Sequence, residues 1–287
     1  MATVAPDGNL PAIGARPVLD RTGAWTIGVI EMSATAYFDG REISRQEVQQ
    51  WELRRGQRAA RLIVAHLGRE RALSLLSAAG MTSVEPEALD DTRQMLAVLK
   101  GELGPDGIRT MMQSRCQRSK IAIKAVLALS RGRKKLCTID LVADGIGAQG
   151  YVDWFMQTHE SNDEAEMLAA NPDHWLIRRA ADGRQEVIET TGNSPLPSHF
   201  FIDFDDDNRP ALQPDPTFPV QMIATARFPD GRIVGTVRHQ FRDEGKGLRA
   251  RLGIEFPRAF PGPLFRGHHW HLACEFSNWI EAAARAS

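Results

Sequence analysis

Three histidines in four positions open the last helical stretch of the chain, "HHWHLACEFSNWIEAAARA" (268–286). On a helix His271 and Glu275 stand i,i+4 on one face, about 6 Å apart, and Leu272, Phe276, Trp279 and Ala283 form the apolar stripe beside them. The pair therefore borders the buried face. A neutral imidazole and a carboxylate one turn apart can both point at one divalent cation, and zinc accepts that mixture of nitrogen and oxygen ligands. Two ligands do not make a site, and an isolated HxxxE is more often a plain His–Glu hydrogen bond near a helix start, so the remaining ligands have to come from elsewhere.

A second group of candidates lies in "VDWFMQTHESNDEAEMLAANPDHWLIRR" (152–179), where His159 and His174 bracket an acidic stretch, and in "EVIETTG", which sets Glu186 and Glu189 on a strand. Taken alone, His159 reads as a residue near a helix C-terminus. Together, a His before a sheet, a Glu on an early strand and an HxxxE on a closing helix can converge on one cavity mouth.

The elements that must position these residues are legible in outline. From 44 to about 131 the pattern is helical: Ser44 with Glu47 three residues on forms a capping box, and Gly68 suits a C-cap. The tract 24–38 is β-branched and aromatic enough for a strand, and residues 1–20 read as an arm. After Asp173 the chain becomes a series of hairpins: "HWLIRRA", the turn "ADGR", "QEVIETTG", "HFFIDFD", "PVQMIATARF", the turn "PDGR", "IVGTVRHQF" and "LRARLGIEF". Sequential hairpins give an antiparallel sheet, and the one long helix left to cover it is the C-terminal one. The expected fold class is α+β. A mainly helical region with its N-terminal arm spans 1–145, and 146–287 forms an antiparallel helix-grip domain, START- or Bet v 1-like, with a long C-terminal helix and an apolar cavity beneath it.

These motifs, "WFMQTHES…NPDHW", "VIETTGN", "VRHQFRDEGKGLRARLGIEFP" and above all "HHWHLACEFSNWI", resemble the zinc-dependent carbon–carbon hydrolases that act on diacetylphloroglucinol and phloretin. The likeness covers roughly residues 150–282. It implies one zinc or another divalent metal on His159, Glu189, His271 and Glu275, the first two being thirty residues apart as in the family. It also implies cleavage of a carbon–carbon bond beside a ketone in a phenolic or β-diketone-like molecule, with His239 or Glu189 moving the proton. The family places tyrosines near the substrate's hydroxyl groups; this chain has two, Tyr37 and Tyr151.

Other chemistries compete. Gly145, Gly147 and Gly150 have GxGxxG spacing between a strand-like and a helix-like run, the local context of a nucleotide-cofactor loop in a transferase. The hairpins that follow are not a Rossmann continuation. A helix-grip protein that binds an apolar ligand without catalysis is a further alternative. Cys116, Cys137 and Cys274 lack CxxC spacing, Cys274 reads as a buried thiol, and no GxSxG elbow is present. A formal net charge of −1, from 35 basic and 36 acidic residues, gives no reason to expect nucleic acid. No apolar run is long enough to span a bilayer and the N-terminus does not read as a secretory signal, so the expected setting is cytoplasmic, without a membrane partner. The expected partner is a small apolar or phenolic substrate, with a homodimer as an open option. Trp154, Phe155, Trp270 and Trp279 are candidates for the cavity lining.

Overall fold

The computed structural model describes residues 16–19, 25–28, 34–204, 210 and 212–287. The expected arm at 1–20 lies outside them, except that β1 (Arg16–Leu19) pairs antiparallel with β2 (Trp25–Gly28). The next strands are β3 (Ala34–Phe38) and β4 (Arg41–Ile43).

Three helices follow: α1 (Arg45–Leu67), α2 (Arg69–Ala78) and α3 (Leu89–Ser130). The capping box forms as its sequence requires, with Ser44 and Glu47 bonding each other's backbone amides. Gly68 closes α1, donating its N–H to the Val64 carbonyl. α3 is broken at Gly104, whose φ of 58° leaves the helical region just before Pro105. A proline cannot donate the next helical bond, so the two halves run in different directions.

The chain then alternates sheet and cover: β5 (Lys134–Asp144), α4 (Ala148–Ser161), α5 (Glu164–Ala169), β6 (His174–Arg179), β7 (Gln185–Glu189), β8 (Ser198–Asp203), β9 (Val220–Arg227), β10 (Ile233–Glu244), β11 (Gly247–Pro257) and α6 (Gly262–Ala286). Nine strands form one sheet in the order β4-β3-β5-β11-β10-β9-β8-β7-β6, with every pairing antiparallel. The fold is thus a mixture of helix and antiparallel sheet with a long C-terminal helix. The expected boundary at 145/146 falls between β5 and α4, yet β5 lies inside the sheet and pairs with β11 along its whole length. Sequence from both sides of that boundary builds a single sheet.

The sheet's two faces carry two cores. On one, α4 and α6 pack with Leu141, Phe241, Leu252, Phe276 and Ile280. On the other, α1, α2 and α3 pack against the backs of β6 and β7 through Trp175, Leu176 and Ile188. α6 is buried almost all round, because α1 covers the side that the sheet does not. That is why its sequence shows so few charges between His271 and Ile280. No helix among the described residues is long and apolar enough to cross a membrane.

Candidate metal centre

β6 and β7 form the hairpin that the "ADGR" turn predicts, and its register decides the site. Arg179 pairs with Gln185, Arg178 with Glu186, Ile177 with Val187 and Leu176 with Ile188, but the next pair is His174 with Glu189. A β-bulge absorbs Trp175. Its side chain joins Leu176 in the helix-facing core, and its indole N–H donates to Thr190 Oγ1 at 2.8 Å. The extra residue turns His174 to the same face as Glu189, toward α6.

There the hairpin meets the HxxxE pair. Ligand atoms of His174, Glu189, His271 and Glu275 all lie within 4.8 Å of one another. His174 Nε2 stands 3.0 Å from Glu275 Oε2 and 4.0 Å from Glu189 Oε2. His271 Nε2 is 3.4 Å from Glu275 Oε2 and 3.6 Å from Glu189 Oε2. A tetrahedral zinc with arms near 2.0–2.1 Å separates its ligands by about 3.3 Å, so these spacings suit one ion.

Further contacts orient the donors. His174 Nδ1 faces the Met167 carbonyl at 3.2 Å, which fixes the proton on Nδ1 and aims the Nε2 lone pair at the cluster. Thr191 Oγ1 donates to the other oxygen of Glu189 at 3.3 Å. Neither ring nitrogen of His271, a side chain 1 % exposed, has a hydrogen-bond partner. Nε2 has both carboxylates within ion-pair distance but without hydrogen-bond geometry, and an ion between the three groups would satisfy them all. Two neutral imidazoles and two carboxylates would neutralise a divalent charge. The cluster can hold a metal ion.

The electrostatics fit that reading. Burial alone would lower the His271 pKa, but Glu189 and Glu275 together raise it to about 10. Burial would raise both carboxylates, but His271 and then His174 bring Glu189 below its usual range, and the same two histidines lower Glu275. Without an ion the histidine carries the proton that offsets the two negative charges.

Glu189, His271 and Glu275 thus come together as expected, whereas His159 does not join them. It sits in the last turn of α4, its ring 5.3 Å from that of Phe204, and accepts a hydrogen bond from Gln185 Nε2 at Nδ1, 3.4 Å away. Gln185 begins β7 and Glu189 ends it, about 13 Å along an extended strand, so a side chain docked on Gln185 cannot reach the cluster. His174 takes the place expected of His159. Glu186 is excluded by pleat: it faces the helical layer, gripped by Arg109 at 2.6 and 3.0 Å and by His199 at 3.0 Å.

The cluster opens on a cavity of about 310 Å³ between the sheet and α6, walled by Phe155, Val187, Phe200, Met222, Phe256 and Trp279. Trp154 and Trp270 lie outside its wall. His239 on β10 lines it, with its ring edge-on to Phe276 at 4.8 Å and its Nδ1 without a partner. Burial pushes its pKa down to about 4, so it is neutral at pH 7. His268, which sequence reasoning left without a role, also lines the cavity, stacked on His271 at 5.2 Å with neither nitrogen bonded. Its position three residues before His271, on the same helix face, was the available signal.

The remaining candidates have structural roles. Tyr151 is fully buried among Trp154, Phe155, Phe241 and Phe276. Cys274 is buried with its sulfur toward the Ala170 carbonyl, and burial raises its pKa. The Gly145–Gly150 loop joins two sheet-bound elements, and where a phosphate would sit at the start of α4 the Asp243 carboxylate accepts the Ala148 N–H at 2.8 Å. A β-carbon on Gly147 would lie 2.9 Å from that same oxygen.

No protein-family model matches the chain, and a search of curated proteins finds no match.

Proposed function

We propose that the chain is a metal-dependent hydrolase that cleaves a carbon–carbon bond beside a ketone in a phenolic or β-diketone-like small molecule. The observation that carries this reading is the convergence of His174, Glu189, His271 and Glu275 at the wall of an apolar cavity that is also lined by His239, whose Nδ1 has no partner. The motif resemblance supplies the reaction. We read the sheet closed by α6 as a helix-grip arrangement and the ion as zinc, because the donor set is two imidazoles and two carboxylates.

The reaction adds water across the bond. The hydroxyl goes to the acyl carbon, giving a carboxylic acid, and the electron pair of the broken bond takes a proton at the other carbon. A bound ion would polarise the ketone oxygen and lower the pKa of water. The protein's own groups do the rest. The apolar wall orients the substrate and excludes bulk water, while His239, neutral at pH 7, can take a proton from the attacking water and return it to the leaving carbon. Glu189 is the second group placed to carry that proton.

The test is elemental analysis of protein purified without a tag or chelator, with His271→Ala and Glu275→Ala beside it, followed by a screen of acylphenols for release of the carboxylic acid. About one zinc per chain, lost in both variants, and acid release by the wild type alone are expected. A wild type that neither contains zinc nor takes it up on reconstitution would overturn the reading. The largely apolar lining favours, as a second reading, a non-catalytic binder of apolar ligands, which would keep its ligand in His271→Ala.

A further inference from the structure

A second cleft opens on the other side of the loop that follows Glu189. It has a volume of about 350 Å³ and is lined by Arg55, Arg58 and Arg61 of α1, Arg115 of α3, the floor residues Asp173 and Trp175, and the 190–197 loop. Its charge is unbalanced. Asp173 is the single acid in the lining, and Arg55 already takes both of its oxygens, at 2.7 and 2.8 Å. Arg58 and Arg61 are exposed and Arg115 is half-buried. No carboxylate among the described residues pairs with any of the three.

A chain of net charge −1 does not need three uncompensated guanidinium groups in one concavity. Several other arginines that are not fully exposed are paired with carboxylates: Arg45 with Glu281, Arg93 with Glu52, Arg109 with Glu186, and Arg249 with Glu244. Planar guanidinium forks on two facing helices, with a half-buried member, are the arrangement that grips carboxylate or phosphate oxygens bidentately. Like charges lining one concavity repel, and an anion between them removes that cost.

We propose that this arginine cleft binds the oxyanion group, carboxylate or phosphate, of a small molecule, with Arg58 and Arg115 as its two jaws and Arg61 at its rim. The cleft is independent of the metal reading, but it is not remote from the cluster. Asp173 precedes His174 and Thr190 follows Glu189 in the chain, and Ser194 and Pro195 line both the cleft and the main cavity. The loop after Glu189 therefore forms part of both walls.

Titration calorimetry of the full chain with inorganic phosphate and with malonate, each against sodium chloride at equal ionic strength, tests the proposal. The expected result is saturable binding of at least one of them, one per chain, weakened tenfold or more in Arg58→Gln/Arg115→Gln. Arg54→Gln removes an exposed charge from the same helix without touching the cleft and should leave the affinity as it is. His271→Ala should also keep it, which separates this site from the proposed metal centre. No saturable binding beyond chloride, or binding that the double variant keeps, would overturn the proposal, as would an equal loss in Arg54→Gln.

Discussion

Gly192 and Gly267 meet backbone against backbone. A β-carbon on Gly192 would lie 2.7 Å from the Gly267 carbonyl carbon, and one on Gly267 would lie 2.7 Å from the Asn193 nitrogen. Gly192 also has a φ of 55°, which a side chain rarely adopts. This contact fixes the loop after Glu189 on the first turns of α6, four residues before His271. It ties the backbone just past Glu189 to the helix that carries His271 and Glu275.

Gly267→Ala should therefore act on both stability and metal binding. Backbone on each side must yield, at a cost of about 1–3 kcal/mol, and Glu189 moves away from His271 and Glu275. The expected outcome is a lower midpoint in urea with an unchanged slope, together with zinc affinity reduced tenfold or more. Wild-type affinity in a destabilised variant would show that the loop contact serves the fold but does not set the cluster.

The His271 proton gives a second expectation. In the metal-free fold its pKa is about 10 against an ordinary 6.5. The folded state thus holds a proton that the unfolded chain releases above pH 6.5. This contribution to stability is complete below pH 6.5 and disappears as the pH rises through 10. Zinc must displace that proton, so its affinity should rise about tenfold per pH unit between pH 6.5 and 8. Calorimetry in buffers of different protonation enthalpy should count about one proton released per ion; none would mean that His271 is not a ligand.

His239 titrates in the opposite sense. Its folded pKa is about 4, so between pH 6.5 and 4 the unfolded chain binds the proton that the folded chain refuses. Stability from this group is complete above pH 6.5 and falls as the pH drops, by up to about 1.4 kcal/mol per pH unit. Urea unfolding at pH 7, 5.5 and 4.5 should show a shallower acid decline in His239→Gln than in the wild type. Parallel curves would place the buried-neutral burden on other groups, His268 first, whose pKa burial pushes down to about 3.

Local chemistry was readable in the sequence, and long-range register was not. Ser44 and Glu47 cap α1 because a capping box needs four residues and no partner. The "ADGR" and "PDGR" turns announce their hairpins for the same reason, and His271 with Glu275 follows from helical spacing alone. The place of β5 depends on eleven pairings with β11, more than a hundred residues away, and no local pattern carries them. The covering of α6 by α1 is equally non-local; it decided that the outer face of α6 would be buried as well as the inner one. The Arg58, Arg61 and Arg115 cleft joins two helices that the sequence shows only as separate amphipathic runs.

The sharpest case is the fourth cluster residue. Counting back from Arg179 opposite Gln185 with strict alternation pairs Trp175 with Glu189 and leaves His174 out of step. The bulge at Trp175 shifts the pairing by one residue and brings His174 onto the cluster face. Its cause is tertiary: the Trp175 ring fits the helical core and its N–H finds Thr190, so the strand yields there. His159, thirty residues before Glu189, has the spacing without the position. His174→Ala should therefore abolish zinc binding, while His159→Ala should keep about one zinc per chain with its affinity within a few-fold of wild type. Because His174 is also packed 5.5 Å from Trp279, His174→Gln provides a version nearer in size, and it should lose the ion with a smaller loss of stability. Zinc retained in His174→Gln and lost in His159→Ala would return the fourth ligand to α4 and require the β6 register to slip by one residue.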